Sequence, residues 1–153
     1  MLIFATHGRS GTGDPAGLAL RNFHPPEPEG FAWSAGRWCE LEFVVDPEGL
    51  GPGAALALAL DLDVFRHPPL LPSQDLLVFL NGLRLGAVTV THRQLASFRL
   101  RPGLLEFGPN RLTIDTPEAA RPVEFGQGDT RLLGVKLFSL MLSADRREPA
   151  EPV

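Results

Sequence analysis

Hydrophobic and polar positions alternate strictly between Ala54 and Phe65: Leu56, Leu58, Leu60, Leu62 and Val64 share one parity, Ala55, Ala57, Ala59, Asp61 and Asp63 the other. Leucine and alanine favour helix by propensity. A helix would spread these leucines around its circumference, whereas a strand sets them all on one face, so the alternation predicts a strand. The same period of two recurs at Leu41, Phe43 and Val45 against Glu40, Glu42 and Val44, and again in Arg111 to Asp115. Leu76 to Leu80 and Leu83 to Val90 are two apolar runs separated by Asn81-Gly82. That dipeptide suits a type I′ turn, whose positive φ angles match the twist of a β-hairpin. Shorter extended pieces are expected at Leu2 to Ala5, Gly17 to Phe23, Gln94 to Leu100 and Leu104 to Phe107, and the last strand at Leu133 to Leu142.

Between these runs stand turn residues: His24 to Gly30 and His67 to Pro72 are proline clusters, which force an extended path and remove backbone donors. Asp46 to Gly49, Gly51 to Gly53, Pro102-Gly103 and Gly108 to Asn110 end or begin strands, and Pro117 and Pro122 bracket a linker. Short strands at near-regular spacing, with no convincing amphipathic helix, predict an all-β, antiparallel β-sandwich. A chain of 153 residues suits one domain. The expected organisation is an N-terminal strand and loop at 1–16, a sandwich at 17–143 and a flexible tail at 144–153.

The net charge of −4, with no basic run, argues against a nucleic-acid-binding protein, because phosphate affinity needs clustered Lys and Arg. The lone cysteine, Cys39, cannot form an internal disulfide and reads as a small buried side chain within a strand. The apolar run at the N-terminus is too short for a membrane span and lacks the basic leader of a signal peptide, so a cytoplasmic protein is expected.

Candidate chemistry is sparse. The glycine-rich segment Gly8 to Pro15 lacks the Lys-Ser/Thr ending of a phosphate loop, and Thr12 stands where a nucleophile elbow around Ser10 needs glycine. Val123 to Ser143 sets a charged turn, Gly126 to Arg131, directly before a core strand. In it Asp129 and Arg131 have two readings: a structural lock between loops, or a fork of donors and acceptors for sugar hydroxyls. Trp33 and Trp38, with Phe31 beside them, are candidates for stacking on the apolar face of a pyranose, or else cover one end of the core. His24 is a further ligand-binding candidate. Asp61 and Asp63, at i and i+2, are weak candidates for a shared hard cation or else a solvated strand face. His7, His24, His67 and His92 show no metal-ligand spacing. No catalytic residue is assigned and no cofactor is expected.

The order of these motifs is familiar: a proline-rich segment with an aromatic, Trp-Ser-x-Gly (Trp33, Ser34, Gly36), a strand, an Asn-Gly hairpin, Gly-Pro-Asn-Arg-Leu from Gly108, and a Gly-Asp-x-Arg-x-Leu-Gly block from Gly128. From about Phe23 to Leu142 the chain resembles the jelly-roll accessory domains that accompany bacterial glycosyltransferases and other polysaccharide enzymes. That resemblance, with the strand number, implies a jelly-roll type of sandwich. It implies a non-catalytic module that binds carbohydrate or supports a polysaccharide-assembling enzyme, with a glycan or a glycosyltransferase as partner. The alternatives are a structural or interaction module, such as a homo-oligomer, and a hydrolase whose site is assembled across strands.

Overall fold

The computed structural model describes residues 2–5, 19–45, 56–106 and 108–144. Its strands are β1 (Leu2–Ala5), β2 (Ala19–Arg21), β3 (Ala32–Trp33), β4 (Trp38–Val45), β5 (Leu56–Val64), β6 (Gln74–Leu80), β7 (Leu83–Val90), β8 (Gln94–Leu100), β9 (Gly108–Asp115) and β10 (Val135–Ala144). They form two antiparallel sheets. One has the order β1-β10-β5-β8, with β3 also paired to β10, and the other β2-β4-β9-β6-β7. The pairs β6·β7, β5·β8, β4·β9 and β3·β10 are nested about the single turn at Asn81-Gly82. This is the jelly-roll arrangement of an antiparallel β-sandwich.

Alternation fills the space between the sheets. Leu58, Leu60, Leu62 and Val64 of β5 meet Cys39, Leu41 and Phe43 of β4, Leu76, Val78 and Leu80 of β6, and Leu112 and Ile114 of β9 in one core cluster. Each fully buried leucine contributes about 1.5–3 kcal/mol. The helical propensity of the Leu-Ala run is overridden because only an extended β5 can give all its leucines to one core. Asn81 (φ 51°) and Gly82 (φ 82°) both take positive φ, as a type I′ turn requires.

β10 departs from strict alternation in an informative way. Val135 and Leu137 are buried, and so are Leu140 and Leu142. The parity changes at a bulge, where the register passes from Leu137 opposite Leu62 to Ser139 opposite Asp61. Phe138 is the extra residue, and the bulge keeps both halves of the strand facing the core.

Two expectations need correction. Residues 104–106 are not a strand: Leu104 N–H donates to the Arg101 carbonyl (3.1 Å) and Glu106 N–H to Asn110 Oδ1 (2.8 Å). The buried Asn110 side chain captures there the backbone donor that strand pairing would have used. Leu133 precedes β10 and forms an isolated bridge with Ala120. The linker bracketed by Pro117 and Pro122 leads into a 3-10 turn, Pro122–Phe125, ended by Gly126 at φ 86°. Gly8 to Pro15 and His7, Gly17 and Leu18, Asp46 to Ala55, Phe107 and the tail from Arg146 lie outside the described residues.

Candidate functional site

The segment from Phe23 to Ser34 folds back on itself as an arm. Phe23 bridges Ser34, His24 N–H donates to the Trp33 carbonyl (2.9 Å), and Glu27 N–H donates to the Phe31 carbonyl (2.7 Å). Gly30, at φ 98°, makes the tight return that its L-residue neighbours would resist. The base of the arm is held in the core region. Ser34 is fully buried, its N–H donates to the Val135 carbonyl (2.8 Å), and its Oγ accepts the Val135 N–H (2.8 Å).

Phe31 and Trp33 are two residues apart on this extended segment and fall on the same side, while Ala32 between them is buried. Their rings meet edge to face, with centroids 5.9 Å apart. Trp33 lies opposite Lys136 of β10, and Phe138 follows two residues on, its ring 5.6 Å from Phe31. The Lys136 Nζ stands 4.1 Å above the Phe31 ring and 5.5 Å from the rings of Trp33 and Phe138. Arg93 then lies over Phe138, its Cζ 3.6 Å from the centroid. Its Nε and Nη2 donate to the two oxygens of Asp61 at 3.0 and 2.9 Å. All four of Phe31, Trp33, Lys136 and Phe138 are half-buried. The result is a strip of aromatic and charged groups across the outer face of the β1-β10-β5-β8 sheet.

Asp129 and Arg131 sit beside the arm. Arg131 Nη1 donates to Glu27 Oε1 (3.0 Å), Nη2 donates to Asp129 Oδ2 (2.9 Å), and Nε reaches both Asp129 oxygens (3.2 Å). Asp129 Oδ1 also accepts the Arg131 N–H at 2.9 Å. Hydrogen bonds from the Arg131 side chain hold the Asp129 carboxyl below its usual range, and hydrogen bonds to Asp129 and Glu27 raise the guanidinium. His24 Nε2 donates to the Leu132 carbonyl at 3.0 Å. The fork of Arg131 is thus spent within the chain, and it ties the arm to the loop before β10.

The structure brings Trp33, His24, Asp129 and Arg131 into one neighbourhood but places Trp38 elsewhere. Trp38 is 48% exposed and outward on β4, opposite Asp115, on the other face of the sandwich. Only five positions separate the two tryptophans, yet Ser34 to Arg37 carry the chain from one sheet to the other. They cannot share one platform. Asp61 and Asp63 each hold their own guanidinium: Arg93 for Asp61, and Arg66 for Asp63 at 3.0 Å. No group of three His, Cys, Asp or Glu side chains among the described residues is placed to hold a metal ion. His67 stacks on Phe125 (5.0 Å) and its Nδ1 is 3.0 Å from Gln127, and His92 is exposed beside Thr91. Among the described residues no helix is long and apolar enough to cross a membrane.

Sequence reasoning passed over Lys136, Phe138 and Arg93. One signal was present: Lys136 is the lone charge in the run from Leu132 to Leu142, at a position whose parity points outward.

No family model matches the chain, and no curated protein matches it. Solved structures do. A CBM22-1 xylan-binding domain from Paenibacillus barcinonensis is similar with a TM-score of 0.49 and 10% identity, over 94% of this chain and 94% of that one. The C-terminal CBM6 of a marine laminarinase from Zobellia galactanivorans has a TM-score of 0.48 and 9% identity, over 84% of this chain and 93% of that one. A CBM4 structure has 0.46 and 9%, over 84% and 78%. These neighbours are carbohydrate-binding modules of β-sandwich fold, and the likeness is one of backbone arrangement.

Proposed function

We propose that this chain is a non-catalytic carbohydrate-binding module, with residues 17–143 as the working unit and the strip around Trp33 as its contact surface. The supporting observation is that Phe31, Trp33 and Phe138 are held together, half-buried, on an outer sheet face. Aromatic side chains with a surface left to water and fixed by their neighbours suit the apolar C–H face of a pyranose, and hydrogen-bonding groups beside them suit its hydroxyls. In this reading Asp129, Arg131 and His24 are positioning residues that fix the arm carrying Phe31 and Trp33. The module serves a bacterial glycosyltransferase or another polysaccharide enzyme, as the order of sequence motifs suggests, and works in the cytoplasm, where a fold without disulfides is at home.

Glycan-array screening followed by calorimetry tests this. Trp33→Ala is expected to weaken binding at least roughly tenfold, and Trp38→Ala, on the opposite face, to leave it unchanged. Absence of binding to every glycan tested, or equal binding by Trp33→Ala, overturns the proposal. A second reading has one observation in its favour. Leu95, 62% exposed, lies opposite Asp61 on the same outer face, and Ala57 and Ala59 of β5 and Ser97 of β8 continue that face with small side chains, a surface on which a second copy could pack. Sedimentation of the wild type and of Leu95→Glu separates the two readings.

A further inference from the structure

Resting on that reading of the strip, we propose that its ligand is an anionic carbohydrate whose acidic group is met by Lys136 and Arg93. The argument is one of charge and hydrogen-bond capacity. Asp61 and Asp63, the carboxylates on this part of β5, are each taken by an arginine, Arg93 and Arg66. Lys136 lies opposite Asp63 in the ladder, yet no carboxylate of the described residues pairs with it. Its ammonium rests instead among the rings of Phe31, Trp33 and Phe138. Such contacts attract a cation through the ring quadrupole but do not neutralise it.

Arg93, though neutralised by Asp61, still offers a donor. Asp61 occupies its Nε and Nη2, which leaves Nη1 without a partner among the described residues, and its Cζ lies over Phe138. Phe138 is therefore flanked by the Lys136 ammonium and by one open edge of a guanidinium. Among the described residues on this sheet face, with Asp63 held by Arg66, Lys136 and Arg93 stand against the one carboxylate of Asp61, while Glu27 and Asp129 beside the arm are held by Arg131. Hydroxyls alone would leave the charge of Lys136 unanswered. An acidic group on a pyranose, such as the carboxylate of a hexuronate, supplies the missing counter-charge while its ring lies on the aromatic surface. Charge-assisted hydrogen bonds of this kind are shorter and stronger than neutral ones. Specificity then follows from what the site lacks, since a neutral glycan leaves a partly desolvated ammonium unpaired.

The test uses the full chain and matched probes: polygalacturonate, alginate and hyaluronan oligosaccharides, each with its methyl ester, alongside neutral xylan and β-glucan oligosaccharides. The expected result is binding of at least one acidic probe, weakened roughly ten- to a hundredfold by esterification and equally by Lys136→Met. Methionine keeps an unbranched apolar stem over the rings, so an unchanged melting temperature shows that the fold is intact. Lys136→Arg is expected to retain most of the affinity. Neutral and acidic probes bound equally, with no effect of Lys136→Met, overturn this inference and leave the carbohydrate-binding reading standing. No binding of any probe overturns both.

Discussion

Gly134 stands where the chain leaves the Asp129–Arg131 loop and enters β10, and one methyl group added there has no room. A Cβ there would lie 2.7 Å from Ser34 Oγ, 2.9 Å from Thr116 Oγ1 and 3.0 Å from Thr116 Cβ. Ordinary non-bonded contacts sit at about 3.5–4.0 Å, so the neighbours must give way by roughly 0.5–1 Å. Both are fully buried and neither is idle: Ser34 Oγ accepts the Val135 N–H, and Thr116 Oγ1 donates to the Gly36 carbonyl at 2.9 Å. Overpacking costs about 1–3 kcal/mol, and a buried donor or acceptor left unpaired about as much again. Gly134→Ala is therefore expected to cost about 3 kcal/mol, or roughly 6–12 °C in Tm for a chain of this size. Urea unfolding followed by tryptophan fluorescence measures it. Gly128→Ala is the control, because a Cβ there meets nothing within 4 Å, and it should change stability by less than about 0.5 kcal/mol. A neutral or stabilised Gly134→Ala variant would refute the reasoning.

Other consequences are open to measurement. Arg131→Met removes the tie between Glu27 and Asp129; with that guanidinium 38% exposed, the cost should be only about 1–2 kcal/mol. Amide exchange at His24 and Glu27 should accelerate in this variant, and unchanged protection there would count against the lock. Asp129 titrates below its ordinary value in the folded chain. Its contribution is thus fully present above the usual carboxylate range and is lost as pH falls through the lowered folded value. Denaturant titrations stepped into acid should show this loss in the wild type and a smaller one in Asp129→Asn; equal acid sensitivity in both would contradict it. Cys39 is fully buried, and burial first, with the Glu40 charge second, pushes its thiol up. A thiol reagent at pH 8 should label it only when denaturant is added, and rapid native labelling would be inconsistent with this placement.

Much of the sandwich was legible because its signals are local. The leucine parity of β5 and the Asn81-Gly82 turn each state a backbone conformation within a few residues. The bulge in β10 was not, since a run such as Leu137 to Leu142 is apolar at both parities around Phe138, and only the ladder to Asp61 and Leu62 shows where the extra residue falls. Residues 104–106 misled because their apolar content resembles a strand while Asn110, four residues on, takes up the Glu106 N–H. The candidate site suffered most from distance along the chain. Arg131 meets Glu27 across 104 positions, and no spacing rule announces such a pair. Trp33 and Trp38 misled in the opposite sense: closeness in sequence says nothing about which sheet each joins when the chain crosses between them.

The nesting of strand pairs about Asn81-Gly82 also sets the order in which contacts become affordable to a folding chain. Closing a loop costs entropy that grows with the logarithm of its length. Ala32 against Leu137 is a long loop for an unfolded chain and a short one once the inner pairs have formed. Loop entropy alone therefore favours assembly from the turn outwards, with the pairing of β3 on β10 expected last. Weakening the turn should slow folding, whereas loosening that last pairing should mainly hasten unfolding. The surface proposed to meet a glycan thus joins two unlike supports, the short β3 pairing that carries Trp33 and the β10 strand whose ladder to β5 holds Lys136 against the core.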